Sequence, residues 1–370
     1  MSRTTSPVVK GERGGLWTAI APRLRGLVFS PVTFALAAGL ALAVVILLAT
    51  GANPLTAIGA LFVGAFGEDG ISDTISQAIP IVGLAIALAI PLRAGLVNLG
   101  GEGQLVLGAM AAVVTGLYSP FPGFVTLVLA LVAGMVAGGL YACIAALGEI
   151  KFGVPLLVTS LLLSYPAMSF ASYLVRHPLR EEGSALPQTQ RVPAEAHLAS
   201  FDIGPAHISV GAVLVLVVIV LFTVSDARTP GGYEVRMTGL GPRFAAYAGV
   251  NRNRLTLRLL FISGSLAGMV GAILMLGFPY RFIDGALITP AYVWTGLMAA
   301  LLAAAAPVGT AIAAAFFAAL SVGGFGMERA TEVPRELSAV LQAVIIVFLA
   351  ARTGMFRRKR QRDTANGDED

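Results

Sequence analysis

The chain alternates between apolar runs of about 20 residues and shorter polar segments. A run of that length, coiled as an α-helix at about 1.5 Å per residue, spans a hydrocarbon core of ~30 Å. This pattern predicts an all-α polytopic membrane protein with about ten transmembrane helices. The predicted spans are residues 28–50, 72–97, 101–118, 122–148, 154–175, 207–225, 257–278, 287–306, 307–327 and 336–353. Residues 54–66 are expected to form either an interfacial helix or part of a loop.

Composition supports a membrane environment. Hydrophobic residues make up 56% of the chain, charged residues only 12%, and the mean hydropathy is +0.83, far from the values of soluble globular domains. Neighbouring membrane helices satisfy the backbone groups that glycine and proline free, so the 43 glycines and 20 prolines predict interrupted helices. The single cysteine, Cys143, excludes an intramolecular disulfide and a cysteine-based metal cluster.

Positive charge is concentrated in three segments. Residues 1–27, 226–258 and 350–370 carry five, six and six of the 25 lysines and arginines. Because the side rich in these residues stays in the cytoplasm, ten spans with both termini inside place all three segments on that face. The net charge of +5 therefore indicates an inner membrane face, and it gives no support to nucleic-acid binding.

These assignments define the expected domains. A basic cytoplasmic segment covers residues 1–27, the transmembrane domain covers 28–353, and a cytoplasmic tail, basic and then acidic, covers 354–370. Within the transmembrane domain, residues 176–206 form an external loop and residues 226–258 form a cytoplasmic loop. The first apolar run is interpreted as a retained anchor, because no small-residue cleavage site follows it.

The chain also contains an internal repeat. Residues 81–114 align without a gap onto residues 269–302, with ten identities in 34 positions, including a P-x-R motif that precedes G-x-M-A-A by the same distance. In the predicted topology the two copies run in opposite directions. Inverted repeats with interrupted helices are typical of transporters. The alternative is that two unrelated apolar hairpins resemble one another.

Charges inside the predicted spans are too few to indicate an ion-coupled carrier. The candidates all fall at or near predicted helix ends, and they are Arg93, Glu102, Glu149, Arg281 and Asp284. The chain has no G-x-x-x-x-G-K-[ST] phosphate loop, so any ATPase must be a separate subunit. No catalytic or metal-binding constellation is visible, so the chain is expected not to be an enzyme. A secondary carrier or channel that acts alone remains the alternative.

Several segments resemble a known family. They are Asn98-Leu99-Gly100-Gly101-Glu102-Gly103-Gln104, Thr159-Ser160-Leu161-Leu162-Leu163-Ser164-Tyr165, Pro187-Gln188-Thr189, the loop from Gly241 to Asn251, and Trp294-Thr295-Gly296-Leu297-Met298-Ala299-Ala300-Leu301-Leu302. Together they resemble the nucleoside and simple-sugar branch of bacterial ABC-type permeases, a group that includes ribose and branched-chain amino acid permeases.

The resemblance implies a function and a set of partners. This chain would be the permease subunit of an ATP-driven importer for a nucleoside or related simple sugar, in the bacterial cytoplasmic membrane; ribose or a branched-chain amino acid is the alternative solute. The partners would be a second permease subunit, identical or different, cytoplasmic ATPase subunits that bind ATP and Mg²⁺, and an external solute-binding protein or lipoprotein. This chain itself would bind no cofactor.

The loop around residues 241–251 is the expected contact with the ATPase. It is predicted to form a short helix of small residues between glycines, with Phe244 and Tyr247 on one face, although an ordinary charged surface loop fits the composition equally. By the resemblance it couples ATP-driven closure to the spans. The assigned coupling residues are Gly241, Arg243, Ala246, Tyr247, Gly249 and Asn251.

Two groups of side chains are candidates for the solute pathway. Asn98 and Gln104 offer amide donors and acceptors, although they fit a helix cap and turn equally well, and for Glu102 a position at the positive end of a helix is favoured. Aromatic side chains stack on sugars or bases, and the candidates are Phe278, Tyr292 and Trp294, with the aromatic belt at the membrane interface as the alternative. Tyr280 is assigned to the aromatic belt at the membrane interface, and the three histidines to solvated loop positions.

Overall fold

The computed structural model describes residues 53–204 and 206–331, with scattered positions from 41 to 51 and from 336 to 340. In chain order the α-helices are α1 (Pro54–Phe66), α2 (Glu68–Arg93), α3 (Gly101–Tyr118), α4 (Gly123–Phe152), α5 (Leu156–Arg176), α6 (Val210–Arg228), α7 (Pro230–Leu240), α8 (Pro242–Tyr247), α9 (Arg252–Gly277), α10 (Tyr292–Leu302) and α11 (Pro307–Thr331). A single 3-10 turn at Ala194–Ala196 and an antiparallel hairpin of β1 (Ser200–Ile203) and β2 (Ala206–Ser209) lie between α5 and α6.

Within the described residues, six helices are long and apolar enough to cross a membrane, namely α2, α4, α5, α6, α9 and α11. They coincide with six predicted spans, so the chain is a helical, multi-pass membrane protein. α3 is not among them, because its first turn is polar. The predicted spans 28–50 and 336–353 lie largely outside the described residues, and residues 54–66 form a helix.

The prediction of a full span at 287–306 is wrong. Only Tyr292–Leu302 is helical, and eleven residues rise about 16 Å, half of a bilayer core. Backbone turns bound this helix on both sides. Ala291 at its start and Ala304 and Ala305 after its end lie in the left-handed region, with φ of 54°, 49° and 56°. Hydropathy extended the span through these turns because, apart from Thr289, the residues at 287–291 and 303–306 are apolar.

The all-α prediction and the start of the sixth span also need correction. The β1–β2 hairpin occupies residues 200–209, where a loop and the first turn of a span were predicted. α6 begins only at Val210, because the Ser209 side chain accepts a hydrogen bond from the Gly211 amide at 3.2 Å and caps the helix.

The core consists of α2 and α9. Both are mostly buried, whereas α4, α5 and α6 expose most of their apolar surface. α9 packs on α4 through close glycine contacts, with Gly264 and Gly268 against Gly134 and Gly138, the small-residue packing common between membrane helices.

The short helices cross over between the two core helices. α3 follows α2 but packs on α9, with Gly108 against the Gly268 backbone. α10 follows α9 but packs on α2, where the Gly296 backbone lies against Ile81 and Ala85. Each core helix is therefore covered by the short helix that follows the other one.

Both connections fold back into the bundle before the short helix begins. Asn98 lies beside Ser263, eleven residues into the 26-residue α9, and Gly296 contacts the middle of α2. The first turns of α3 and α10 consequently meet midway along the core helices. We call the end with residues 177–209 and 278–284 the hairpin end and the end with residues 229–251 the α8 end.

Candidate functional site

A cavity of about 850 Å³ opens at the hairpin end. It lies between α1, the first turns of α2, the last turns of α9 and α11, and the start of α10. Its polar lining consists of Glu68, Asp69, Asp73, Ser76, Gln77, Ser200, Ser209 and Arg329. Its aromatic lining consists of Phe278, Tyr280, Tyr292 and Phe325. The size and mixed lining are typical of a small-molecule site.

The polar wall of the cavity comes from one face of α2. Asp69, Asp73, Ser76 and Gln77 follow the helical spacing of i, i+4, i+7 and i+8, so they project from the same side. The acidic first turn also suits the positive end of the helix dipole. From Ile79 onward α2 is apolar and buried, so the polar face ends where the helix enters the core.

These side chains are available to a ligand. Within the described residues, Asp73, Ser76 and Gln77 make no side-chain hydrogen bond or ion pair. A hydroxyl, an amide and a carboxylate beside aromatic rings can bind the hydroxyl groups and flat faces of a polyhydroxylated or heterocyclic solute. The described residues contain no group of three or more histidine, cysteine or acidic side chains placed to hold a metal ion.

The predicted pathway residues occupy different places. Phe278 and Tyr292 line the cavity, whereas Asn98, Glu102, Gln104 and Trp294 do not. Asn98 and Gln104 are only 2% and 1% exposed, so they belong to the packed interior between α3 and α9.

Asn98 has used all of its hydrogen-bonding capacity. Its Nδ2 donates to Gln104 Oε1 and to Ser263 Oγ, both at 3.0 Å, and its Oδ1 accepts from the Gly100 amide at 3.0 Å and from Gln104 Nε2 at 3.1 Å. An amide side chain offers two donors and two acceptor lone pairs. In this conformation Asn98 therefore holds the connection before α3 in place and presents no free atom to a solute.

Glu102 and Trp294 meet where the two short helices begin. Trp294 Nε1 donates to Glu102 Oε1 at 2.9 Å, and the indole is 41% exposed. This contact joins the first turn of α3 to the first turn of α10, next to the cavity-lining Tyr292. Two positive helix ends and one carboxylate thus converge in the middle of the bundle.

Sequence reasoning missed the polar face of α2, because Asp73, Ser76 and Gln77 fall at the start of an apolar run and were absorbed into the span 72–97. The signal that could have revealed them is their helical spacing. Sequence reasoning also left His197 as a solvated loop residue. Its ring stacks on Tyr280 with centroids 3.7 Å apart, and its Nε2 lies 2.8 Å from the Val192 carbonyl.

At the α8 end, residues 241–251 form a projecting turn around the six-residue helix α8. Only Ala245 of this helix is buried, whereas Tyr247 is 93% exposed and Arg243, Phe244 and Ala246 are also exposed. Gly241 precedes the helix, Gly249 ends the turn with a φ of +88°, and the Asn251 side chain caps α9 by accepting from the Arg254 amide.

The bundle of apolar helices thus has a polar cavity at one end and an exposed short helix at the other, an arrangement that suits a membrane transport subunit. Residues 70–350 match the family described as the permease component of branched-chain amino acid transport systems. The chain belongs to this permease family, which confirms the resemblance drawn from its motifs.

Named relatives refine the class. The chain is 32% identical over 345 residues to a glucose ABC transporter permease of Haloferax volcanii, covering 90% of this chain and 89% of the relative. It is 30% identical over 321 residues to a guanosine ABC transporter permease of Bacillus subtilis, covering 85% and 90%. A nucleoside ABC transporter permease of Lactococcus lactis is 25% identical over 323 residues, covering 85% and 88%.

Proposed function

We propose that this chain is the solute-conducting subunit of an ATP-driven importer for a nucleoside or a related simple sugar. The observation that carries the proposal is the cavity, in which the unpaired polar side chains of α2 face the aromatic rings of Phe278 and Tyr292. The names of the relatives, which specify glucose, guanosine and nucleosides, support the same solute class. The cavity lining holds three carboxylates and one arginine, which suits an uncharged solute better than an anionic amino-acid carboxylate.

The pathway in this proposal leads from the cavity to the centre of the bundle. Tyr292 lines the cavity in the first turn of α10, and Trp294 projects from the opposite side of the same turn, where it bonds to Glu102 at the start of α3. Glu102, Trp294, Tyr292 and Phe278 are thus the proposed solute contacts. Asn98 and Gln104 are proposed to border the pathway by shaping the turn that places Glu102.

The proposed inverted repeat supplies a mechanism for this pathway. The repeat pairs α2 with α9 and α3 with α10, and Gly108 with Gly296. These two glycines make corresponding crossed contacts, one on α9 and the other on α2, which supports a pseudo-two-fold relation. With two helices that begin mid-bundle, rocking of the two copies would expose the centre to each side in turn. The proposed topology keeps about ten membrane segments.

ATP hydrolysis is assigned to a separate cytoplasmic subunit that binds ATP and Mg²⁺. The exposed helix α8, with Arg243, Ala246 and Tyr247 between Gly241 and the Gly249–Asn251 turn, is proposed as its docking element. The α8 end is then cytoplasmic, together with both termini, and the hairpin end faces the external solute-binding protein. A second permease subunit, identical or different, completes the proposed assembly.

The deciding experiment is co-purification from the native membrane followed by reconstitution into proteoliposomes. We expect a cytoplasmic ATPase to accompany the chain, and uptake of radiolabelled guanosine or glucose to require ATP and the external binding protein. Uptake by the chain alone, driven by a solute gradient without ATP, would instead identify a secondary carrier.

A matched pair of variants tests the cavity within that assay. Gln77→Leu removes an unpaired amide from the lining, and we expect the KM for the transported solute to rise about tenfold, the loss of one hydrogen bond. Gln190→Leu is the control, because Gln190 is exposed and lies outside the cavity. Equal KM values for the two variants would show that the Gln77 side chain of α2 does not contact the solute.

A further inference from the structure

We propose that Asp226 is a positioning residue that joins the ATPase-docking segment to α2, so that movement of α8 is transmitted along α2 to the cavity. This inference rests on the proposed function and adds a mechanical link to it. The link consists of Arg93 at the end of α2, Asp226 near the end of α6 and Arg236 on α7.

Asp226 binds two arginines from two different helices. Arg93 Nε and Nη2 donate to its two carboxylate oxygens at 2.7 and 2.8 Å, the bidentate geometry that fixes both distance and orientation. Arg236 Nη1 lies 3.7 Å from Asp226 Oδ2. The Asp226 side chain is 9% exposed, so solvent screens these interactions far less than it screens a surface pair.

A second contact holds the same two helices together. The Gly239 backbone of α7 lies against the carbonyl oxygen of Arg93, and a Cβ at residue 239 would collide with that oxygen. α7 is separated from α8 only by Gly241. A displacement of α8 by a docked ATPase therefore reaches the end of α2 through one ion pair and one backbone contact.

α2 connects this joint to the solute cavity. Its 26 residues extend about 39 Å. Asp73, Ser76 and Gln77 line the cavity near its other end. The helix is buried and apolar from Ile79 to Pro91, so close packing with its neighbours restricts its sideways movement over this stretch. Pro80 interrupts the helical hydrogen bonding beside the cavity wall, so the close packing from Ile79 to Pro91 is what carries a shift of Arg93 toward Asp73, Ser76 and Gln77.

The repeat places a corresponding arginine at the hairpin end. Arg281 aligns with Arg93, and its Nη1 lies 2.6 Å from Glu181 Oε2. Glu181 belongs to the segment that lies beside the hairpin, on the proposed external face. One P-x-R arginine is therefore ion-paired at the α8 end and the other at the hairpin end. This arrangement would allow movement to be transmitted between the two faces of the bundle.

The test uses the complete transporter, co-purified from its native membrane and reconstituted, with the ratio of guanosine or glucose uptake to ATP hydrolysed as the readout. We expect Asp226→Asn to lower this ratio by about fivefold or more, the low end of ordinary coupling between sites. Asp226→Glu, which keeps the charge, should recover part of it. Glu149→Gln is the control, because Glu149 pairs with Arg252 at the same end but joins α4 to α9.

A second pair of variants separates coupling from loss of a buried charge. Gly239→Ala should lower the same ratio by pushing α7 away from Arg93. Gly231→Ala, in the same helix, should leave the ratio unchanged, because a Cβ there would make only an ordinary contact with Thr229 Oγ1 at 3.8 Å. An unchanged ratio in Gly239→Ala, or equal loss in Glu149→Gln and Asp226→Asn, overturns the inference. Should Asp226→Asn fail to assemble, Gly239→Ala decides alone. Failure of the wild-type complex to show ATP-driven uptake would reject the proposed function instead.

Discussion

The connection before α3 and the connection before α10 do the same task in different ways. Each leads a core helix back into the bundle and starts a short helix at its centre. The first is seven residues long and is held by the buried Asn98–Gln104–Ser263 hydrogen bonds. The second is fourteen residues long and is held from outside, by pairs such as Glu181–Arg281 and Arg176–Asp284.

This difference separates a fixed part from an adjustable part. The first connection is closed, because every polar atom of Asn98 is satisfied by neighbours within the bundle. The second depends on residues 176–192, which lie at the hairpin end. Its backbone also pairs with that segment, since Thr189 N donates to the Phe282 carbonyl and Val192 N to the Tyr280 carbonyl. We infer that the second connection is the one that responds to events at the hairpin end.

The largest expected effect comes from breaking the closed connection. Asn98→Ala leaves the Gln104 amide, the Ser263 hydroxyl and the Gly100 amide without partners in the interior. Because each buried unsatisfied group costs about 1–3 kcal/mol, we expect the free energy of unfolding to fall by about 3 kcal/mol or more. Denaturant titration in detergent micelles measures the change.

The matched control is Asn53→Ala. The Asn53 side chain also accepts a hydrogen bond from a backbone amide, that of Leu55, but it does so at the exposed start of α1. The loss of this cap should therefore cost only about 1 kcal/mol. If the two variants lost equal stability, the buried network would hold the connection no more firmly than a surface cap.

An intermediate effect is expected at the adjustable connection. Arg281→Gln removes the ion pair with Glu181, in which the arginine side chain is 12% exposed. We expect a local loss of about 2 kcal/mol, between the values for exposed and buried pairs. Amide hydrogen exchange in residues 278–291 should rise, while that of α3 stays unchanged.

Arg180→Gln serves as the comparison for this variant. Arg180 is the neighbour of Glu181 in sequence, and among the described residues its side chain bonds only to the Ser184 carbonyl, at 3.4 Å. Faster exchange in residues 278–291 for Arg180→Gln as well would show that any loss of positive charge at this end loosens the connection.

The core helices could be predicted from sequence, whereas the contacts and backbone turns that hold the two connections could not. Apolar runs such as those of α2 and α9 specify membrane helices because burial of the backbone in lipid allows few other structures. The start of α10 depends on the left-handed backbone of Ala291, and an apolar alanine carries no signal for such a turn. The motif 98–104 identified the first connection, but the partner Ser263 is 165 residues from Asn98, a contact that only the fold creates.

The candidate site was likewise predicted only in part. Phe278 and Tyr292 were predicted and line the cavity, because aromatic residues beside a turn are visible in the sequence. Asp73, Ser76 and Gln77 were missed, since their role depends on which face of α2 is turned toward α9 and α11. Periodicity defines a face, but it does not say what that face meets.

The smallest expected effect is at the contact that joins the two connections. Trp294→Phe removes the Nε1–H that donates to Glu102 and keeps most of the ring. Because the indole is partly exposed, we expect a loss of about 1 kcal/mol in stability. A double-mutant cycle with Glu102→Gln measures the coupling energy directly, and the two single changes should be non-additive by about that amount.

In the uptake assay, Trp294→Phe should alter the solute KM, because this contact borders the proposed pathway where α3 and α10 begin. Strict additivity of the two substitutions, together with an unchanged KM, would mean that α3 and α10 meet at the centre of the bundle without acting on each other or on the solute.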